Sequence, residues 1–460
     1  MRDPKTEKEL TNPAGTPAWV QWGYRGLFNL GLGLSAPYYA RRMARRGGWK
    51  DRLGQRFGRY DNSFIQRCHG QTNLWFHAVS VGEVLLSVPL VKRLENKLPS
   101  VQWILSATTT TGMAQWHQQM PGPPATCFYP IDRRPWVRQS MEVIRPKAII
   151  LSEAEIWPNF LWEAFDRRIP VFLINARISE KSYLRYHRFR SIFAPLFGSL
   201  SGVGTQNDSD AQRLMALGCD PSKVFVTGNM KFDAALGSQS RPSTLDIPAL
   251  LRAHDMHEKT LLLGSSTHAG EEAMLADLYL KLRQSHPQLR LVIAPRHFER
   301  GSQIATALRS KELSVACRSE WSDASEDSRE KPSDVLILDS TGELASLYPH
   351  VDLVFIGKSM LARGGQSPLE AASAGKPILM GPHMQNFRAI TRTFLEKQAA
   401  RQVSDVASLQ TTLTELLEHP QERDRLGKAA RDVVDANLGA VERTLEMLCQ
   451  HPSIAEHLTP

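Results

Sequence analysis

Several short apolar runs in this sequence end in loops that carry a carboxylate or a guanidinium at the start of a helical stretch, and these residues are the ones equipped for chemistry. In His77-Ala78-Val79-Ser80-Val81-Gly82-Glu83, Gly82 lets the backbone turn tightly and Glu83 falls in the first turn of the helix that follows. The helix dipole stabilises a carboxylate there, and such a group either accepts a proton from an incoming hydroxyl or is an ordinary first-turn Glu. Ser152-Glu153-Ala154-Glu155-Ile156-Trp157-Pro158-Asn159 places two carboxylates two residues apart where another run stops. An extended chain would point both to one side; a helix beginning near Pro158 would use them as caps. The hydroxyl-rich turn Thr108-Thr109-Thr110-Thr111-Gly112 can cap a helix or hold polar ligand groups. Asn207-Asp208-Ser209-Asp210 has the spacing of an Asp-x-Asp metal element, but it follows a strand and opens a helix, so capping accounts for it and no metal is assigned.

The second half carries a denser set. Gly264 to Glu272 is a small-residue turn running into a helix, suited to an anion near open helix amides. Ala294-Pro295-Arg296-His297 follows a strand and sets an always-charged guanidinium where it can pair with a phosphate. Ser340-Thr341-Gly342-Glu343 and Gly364-Gly365-Gln366-Ser367-Pro368-Leu369-Glu370 each join glycine to a helix-start Glu able to hold the two hydroxyls of a ribose. No GxGxxG or GxxxxGK[ST] occurs at these turns, which argues against a dinucleotide enzyme or a P-loop ATPase.

Such loops need strands behind them. A chain of 460 residues with 42% apolar content has room for two or three domains with their own cores. From residue 73 onward, runs such as Leu74-Trp75-Phe76, Trp103-Ile104-Leu105, Ala148 to Leu151 and Val171 to Ile174 alternate with helical stretches, and the alternation restarts at Leu261. Strands apolar on both faces, each followed by a helix, imply an α/β fold of two parallel, doubly wound, Rossmann-like halves facing one another. The expected divisions are an N-terminal basic segment 1–60, a first domain 61–235, a linker 236–250, a second domain 251–435 and a helical tail 436–460. Arg318 to Asp334, rich in Ser, Asp and Glu, reads as a surface insertion rather than a site. Five scattered cysteines with no CxxC spacing argue against a disulfide framework or a zinc site. The N-terminal stretch Trp19 to Ala40 is interrupted by Arg25, four glycines and Pro37, lacks a signal-peptide layout, and precedes Arg41, Arg42, Arg45, Arg46, Lys50, Arg52, Arg56 and Arg59. That order suits an anionic membrane surface, or equally a solvated basic helix.

Taken together and in order, the motifs ending at Glu83, Gly112 and Asn159, then Asn175-Ala176-Arg177, Gly228-Asn229-Met230-Lys231-Phe232-Asp233, Ala294 to His297, Gly342-Glu343-Leu344 and Pro368-Leu369-Glu370 resemble the Kdo transferases of lipopolysaccharide synthesis, which transfer 3-deoxy-D-manno-oct-2-ulosonic acid. The resemblance covers about residues 20 to 435. It implies a GT-B glycosyltransferase that moves Kdo, with inversion, from CMP-Kdo to the phosphorylated lipid A precursor (lipid IVA) at the cytoplasmic face of the inner membrane, with no cofactor, no metal and no nucleic-acid partner. By the same resemblance Glu83 matches the general base, and Glu153 and Lys231 match positions that stabilise the transition state. Pro295, Arg296, Thr341, Gly342, Glu343, Ser367, Pro368, Leu369 and Glu370 match CMP-binding segments. Two departures stand out: Gln366-Ser367 where many relatives have His-Asn, and Gly357-Lys358-Ser359 where many have Gly-Gly-Ser. The rival readings are another GT-B enzyme using a UDP-sugar, as transferase or epimerase, and a non-catalytic basic protein binding membrane or nucleic acid.

Overall fold

The computed structural model describes residues 15–46, 52–122, 124–239, 245–321 and 332–458. They form two compact units, one of residues 1–234 with 439–460 and one of residues 235–438.

The first unit is built on a seven-stranded parallel sheet in the order β3-β2-β1-β4-β5-β6-β7. Its strands are β1 (Asn73–His77), β2 (Gln102–Ala107), β3 (Ala125–Phe128), β4 (Pro146–Ser152), β5 (Val171–Ala176), β6 (Gly202–Thr205) and β7 (Val224–Val226). Successive residues of each strand serve opposite layers. Trp75 and Ile149 pack with Phe160 and Trp162, while Leu74, Phe76 and Ile150 pack with Trp116, Leu90 and Leu445. Both faces are therefore dry, and each fully buried side chain of this size contributes about 1.5–3 kcal/mol. The sheet order reverses between β1 and β4, the place where doubly wound sheets open a crevice beyond the strand ends.

The second unit repeats the plan in the order β10-β11-β9-β8-β12-β13-β14, with β8 (Thr260–Thr267), β9 (Leu289–Pro295), β10 (Val315–Cys317), β11 (Val335–Ile337), β12 (Leu353–Ile356), β13 (Ile378–Met380) and β14 (Arg401–Gln402). Its order reverses between β8 and β12.

Four strands are not signalled by apolar runs. Ala-Thr-Cys-Phe of β3 and Gly-Val-Gly-Thr of β6 are too mixed, and β10 and β14 are short strands at the two edges. The glycines of β6 have a packing cause: a Cβ at Gly202 would lie 2.9 Å from the Phe172 ring, and one at Gly204 2.9 Å from Thr227 Oγ1. In the stretch 236–250 read as a linker, the helix Lys231–Gln239 ends and the helix Ile247–Ala253 begins, while residues 240–244 lie outside the described residues. The tail is not a separate element either. Asp233 accepts the Gly439 and Val441 amides at 2.8 and 3.1 Å, and the helix Ala440–Cys449 completes the core of the first unit.

In the second unit the helix Pro420–Ala436 lies against the end of the helix Leu369–Ser373 with no room for a side chain: a Cβ on Gly427 would meet Gly375 O at 2.2 Å. Gly375 itself sits at φ +68°, ending that helix in the left-handed region. Gly427→Ala is expected to destabilise this unit by about 1–3 kcal/mol through overpacking against immobile backbone. Chemical denaturation of the variant beside the parent checks it.

Candidate functional site

At the switch point of the first sheet, β1 runs into the Ala78–Ser80 loop and the helix Val81–Lys97, whose first turn holds Glu83. Its carboxylate turns back on the loop. Oε2 accepts the Val79 amide at 2.9 Å, and Oε1 accepts the Ser80 hydroxyl at 3.1 Å. Burial pushes the Glu83 pKa up to about 7; the Val79 bond opposes this, and the nearby charges of Glu153 and Glu155 add to it. The threonine turn supports the same loop from behind: the Thr108 and Thr109 amides donate to Val79 O at 3.3 and 3.2 Å, and Thr109 caps its own helix through Gly112 N at 3.0 Å. Its hydroxyls thus include one spent on capping. His77 is a core residue. It is fully buried, stacks on Tyr129 at 3.8 Å, and burial pushes its pKa down to about 3.

Beside it, β4 ends at Ser152, and Glu153 and Glu155 lie in a turn, which corrects the extended geometry expected of them. Glu153 adopts φ +61° while its amide donates to Ile174 O at 2.9 Å, and Glu155 Oε2 accepts Trp157 Nε1 at 2.6 Å. Neither carboxylate caps the next helix. The amides of Asn159 and Phe160 are taken by Asp132, a buried residue absent from the sequence reading.

Lys231 enters through a third strand end. Asn175, at φ +50° near the end of β5, accepts the Met230 amide on Oδ1 at 3.2 Å, and Asn229 Oδ1 accepts the Lys231 amide at 3.0 Å. The loop Gly228–Asp233 is thereby tied to the β5 end, with half-buried Lys231 opening its helix. Asn175 Nδ2 is buried with no protein partner among the described residues. Asn207 caps its helix, its Oδ1 accepting Asp210 N at 2.9 Å, while Asp210 Oδ1 accepts Ile178 N of the loop after β5 at 2.9 Å.

In the second unit the β8 and β12 loops meet at their own switch point. The expected anion at the helix Glu271–Leu282 is the protein's own. Fully buried Glu271 accepts the His268 amide at 2.9 Å and reaches across to the amides of Lys358, Ser359 and Met360 at 2.7, 3.1 and 3.2 Å. Glu272 pairs with Arg300 at 2.8 Å. That turn is architecture, leaving the neighbouring loops for a ligand. Lys358 stands at φ +57°, a conformation glycine adopts without strain. Gln366 Nε2 lies 3.2 Å from His268 Nε2, joining the two loops.

The remaining predicted residues line strand ends of this sheet. Pro295 is buried at the end of β9, and Arg296 is exposed beyond it with its amide on Thr267 O at 3.0 Å. Thr341 and Gly342 are exposed, Gly342 at φ +86°. Glu343 is held by the Ser340 hydroxyl and by Arg318 Nη2 at 3.1 Å. Arg318 therefore belongs with this group, which corrects its assignment to an inert insertion; residues 322–331 of that stretch lie outside the described residues. Ser367 Oγ accepts Leu369 N at 3.4 Å, Pro368 and Leu369 are buried, and half-buried Glu370 occupies the first turn of the helix Leu369–Ser373.

Comparison with known proteins bears on what these edges serve. Residues 51–234 match the family described as 3-deoxy-D-manno-octulosonic-acid transferase (kdotransferase). A 3-deoxy-D-manno-octulosonic acid transferase of Bordetella pertussis is 31% identical over 442 residues, covering 92% of this chain and 98% of its own. The Haemophilus influenzae protein of the same description is 29% identical, over 87% and 91%. Among solved structures, UDP-GlcNAc 2-epimerase from Neisseria meningitidis superposes with a TM-score of 0.57 at 14% identity, covering 83% of this chain and all of its own, a likeness of fold.

The position of Glu83 has a pH signature. Because its folded pKa is raised to about 7, the folded state holds the proton more tightly than the unfolded state, and its ionisation costs stability as pH rises from the ordinary carboxylate range through 7. Glu83→Gln is expected to remove that loss, raising the melting temperature relative to the parent at pH 8 more than at pH 5. Parallel thermal scans at the two pH values check the sign.

Proposed function

This chain belongs to the 3-deoxy-D-manno-octulosonic acid transferase family, and from that premise we propose that it transfers Kdo from CMP-Kdo to the phosphorylated lipid A precursor, lipid IVA, at a membrane surface. The observation that carries the reading is Glu83, a partly accessible carboxylate with a pKa of about 7 at the switch point of a parallel sheet. A group titrating near the working pH is well matched to removing a proton from an alcohol. In the proposed step the acceptor oxygen attacks the anomeric carbon of Kdo and its proton passes to Glu83. The bond from that carbon to the phosphate oxygen breaks, and CMP leaves with the electron pair.

Glu153 and Lys231 are assigned to the charge that develops in this step. Arg296, exposed beyond β9, is assigned to the departing phosphate, where a guanidinium offers paired donors. Pro295, Thr341, Gly342, Glu343, Ser367, Pro368, Leu369 and Glu370 are assigned to the nucleotide. The carboxylates of Glu343 and Glu370 suit ribose hydroxyls, with Arg318 setting the orientation of Glu343. Ser367 already accepts the Leu369 amide, so it reaches a nucleotide through its remaining hydrogen-bonding capacity.

The membrane part of the proposal rests on two surfaces of the first unit. The helix Ala18–Arg46 exposes Trp19, Trp22, Leu27, Leu30, Leu34 and Tyr38 on one broad face, with Leu34 77% accessible. Arg41 is exposed beyond them, while the side chains of Arg42, Arg45 and Arg46, and residue Lys50, lie outside the described residues. The helix Glu180–Arg188 presents Lys181, Leu184, Arg185 and Arg188 at i, i+3, i+4 and i+7, all exposed. No helix among the described residues is long and apolar enough to cross a membrane, and an apolar face flanked by cations fits peripheral attachment at the cytoplasmic face of the inner membrane.

Mass spectrometry of the lipid formed from CMP-Kdo and lipid IVA tests the assignment, with addition of Kdo expected and a turnover at least about 100-fold lower for Glu83→Gln. Stabilisation by CMP and not by UDP is expected in thermal shift; the reverse would favour a UDP-sugar enzyme. Replacing Leu30 and Leu34 with Ser is expected to lower activity on liposome-embedded acceptor and to spare activity on detergent-dispersed acceptor.

A further inference from the structure

Asp132 is 3% accessible and lies in Tyr129-Pro130-Ile131-Asp132, immediately after β3. Every bond it accepts comes from two places. Oδ1 takes the Phe160 amide at 2.8 Å, and Oδ2 takes the Asn159 amide at 3.1 Å and the Tyr24 hydroxyl at 2.9 Å. Its backbone oxygen takes Asn159 Nδ2 at 2.7 Å, and Asn159 Oδ1 in turn accepts Arg25 Nε at 3.0 Å. Tyr24 and Arg25 belong to the helix Ala18–Arg46, and both approach Trp162, the Tyr24 ring edge-on at 5.5 Å and the Arg25 guanidinium at 5.5 Å. Asn159 and Phe160 are the second and third residues of the helix Pro158–Asp166.

That helix starts without a cap of its own, since Trp157 makes no side-chain bond to its amides. Asp132 supplies the cap, lying 27 residues upstream of Asn159. The segment it anchors is the turn that carries Glu153 and Glu155, held at its other end by the Glu153 amide on Ile174 O. With both ends pinned, the turn keeps Glu153 at φ +61°, a strained conformation that persists only where the surroundings enforce it.

We propose that Asp132 is a positioning residue that holds the Glu153–Glu155 turn in its working geometry, and that Tyr24 makes this geometry depend on the seating of the N-terminal helix. The catalytic half of the inference rests on the Kdo-transfer reading; the structural half does not. The N-terminal helix, whose outer face is apolar and exposed, is thus joined through two hydrogen bonds to Asn159, which closes the segment that carries Glu153 and Glu155. A shift of that helix against the sheet would be transmitted to this segment.

Tyr24→Phe, which keeps the ring and removes one hydroxyl, and Asp132→Asn are compared with the parent by hydrogen exchange and by steady-state kinetics in detergent. The expected result is at least tenfold faster exchange in peptides covering residues 157–162 and a kcat at least fivefold lower, with KM for CMP-Kdo and exchange in residues 260–380 unchanged. Unchanged exchange in the Tyr24→Phe variant, or faster exchange with unchanged kcat, overturns the proposal. Should Asp132→Asn fail to fold, Tyr24→Phe decides alone. A parent protein that transfers no Kdo would fault the functional reading instead, and the exchange measurement would still decide whether Asp132 and Tyr24 pin the turn.

Discussion

Parallel sheets deliver every crossover helix with its amino end at the carboxyl edge of the strands, and each such end exposes amides that have no partner within the helix. In this protein the Thr109 and Asn207 side chains close some of those amides, and carboxylates close others together with the loop amides beside them. Glu83 turns back on Val79, Asp132 reaches the Pro158 helix, Asp233 holds Gly439 and Val441, and Glu271 gathers four amides from two loops. A buried carboxylate without such partners would be very costly, so each fixes a loop as firmly as the loop fixes it.

The same arrangement sets the chemistry. Glu83 accepts two hydrogen bonds, which favour its ionised form, while burial and the charges of Glu153 and Glu155 favour the protonated one. The balance falls near neutrality. Asp132 reaches a similar balance by other means: burial pushes its pKa up to about 7 against the bonds from Tyr24, Asn159 and Phe160. One carboxylate is partly open to a substrate, and the other is closed off by the N-terminal helix. Left-handed residues mark the same edges, at Glu153 and Asn175 in the first unit and at Ser266 and Lys358 in the second. They sit where strands end and loops must change direction within a single residue.

Within each unit the deep core is conventional and the strand ends are not. Aromatic and aliphatic side chains fill both faces of both sheets, giving rigid edges from which short loops project. The helix Ala440–Cys449, although last in the chain, belongs to the first of these cores, held there by Asp233 of the same loop that presents Lys231. The loop that stabilises charge in the proposed reaction is therefore also the seat of the chain's return.

Much of this was legible in the amino-acid order alone. Two doubly wound sheets follow from apolar triads spaced by helical stretches, because strands buried on both faces are built mostly from apolar residues. The proposed site residues follow from their place after those triads and from the family motifs. Edge strands such as β10 and β14, and the mixed β3 and β6, left no such trace, since their burial is partial, brief or supplied by glycine against a neighbouring ring. The partners of the carboxylates were equally invisible. Asp132 lies 27 residues from the amide of Asn159 and 108 from the hydroxyl of Tyr24, Arg318 lies 25 from Glu343, and Glu271 lies 87 from Lys358. The sequence determined which segments are strands and which loops carry charge, because those depend on local composition and period. Only the tertiary structure decided which carboxylates stay partly exposed and which are consumed by backbone amides, because that depends on what the fold brings within about 3 Å of each oxygen.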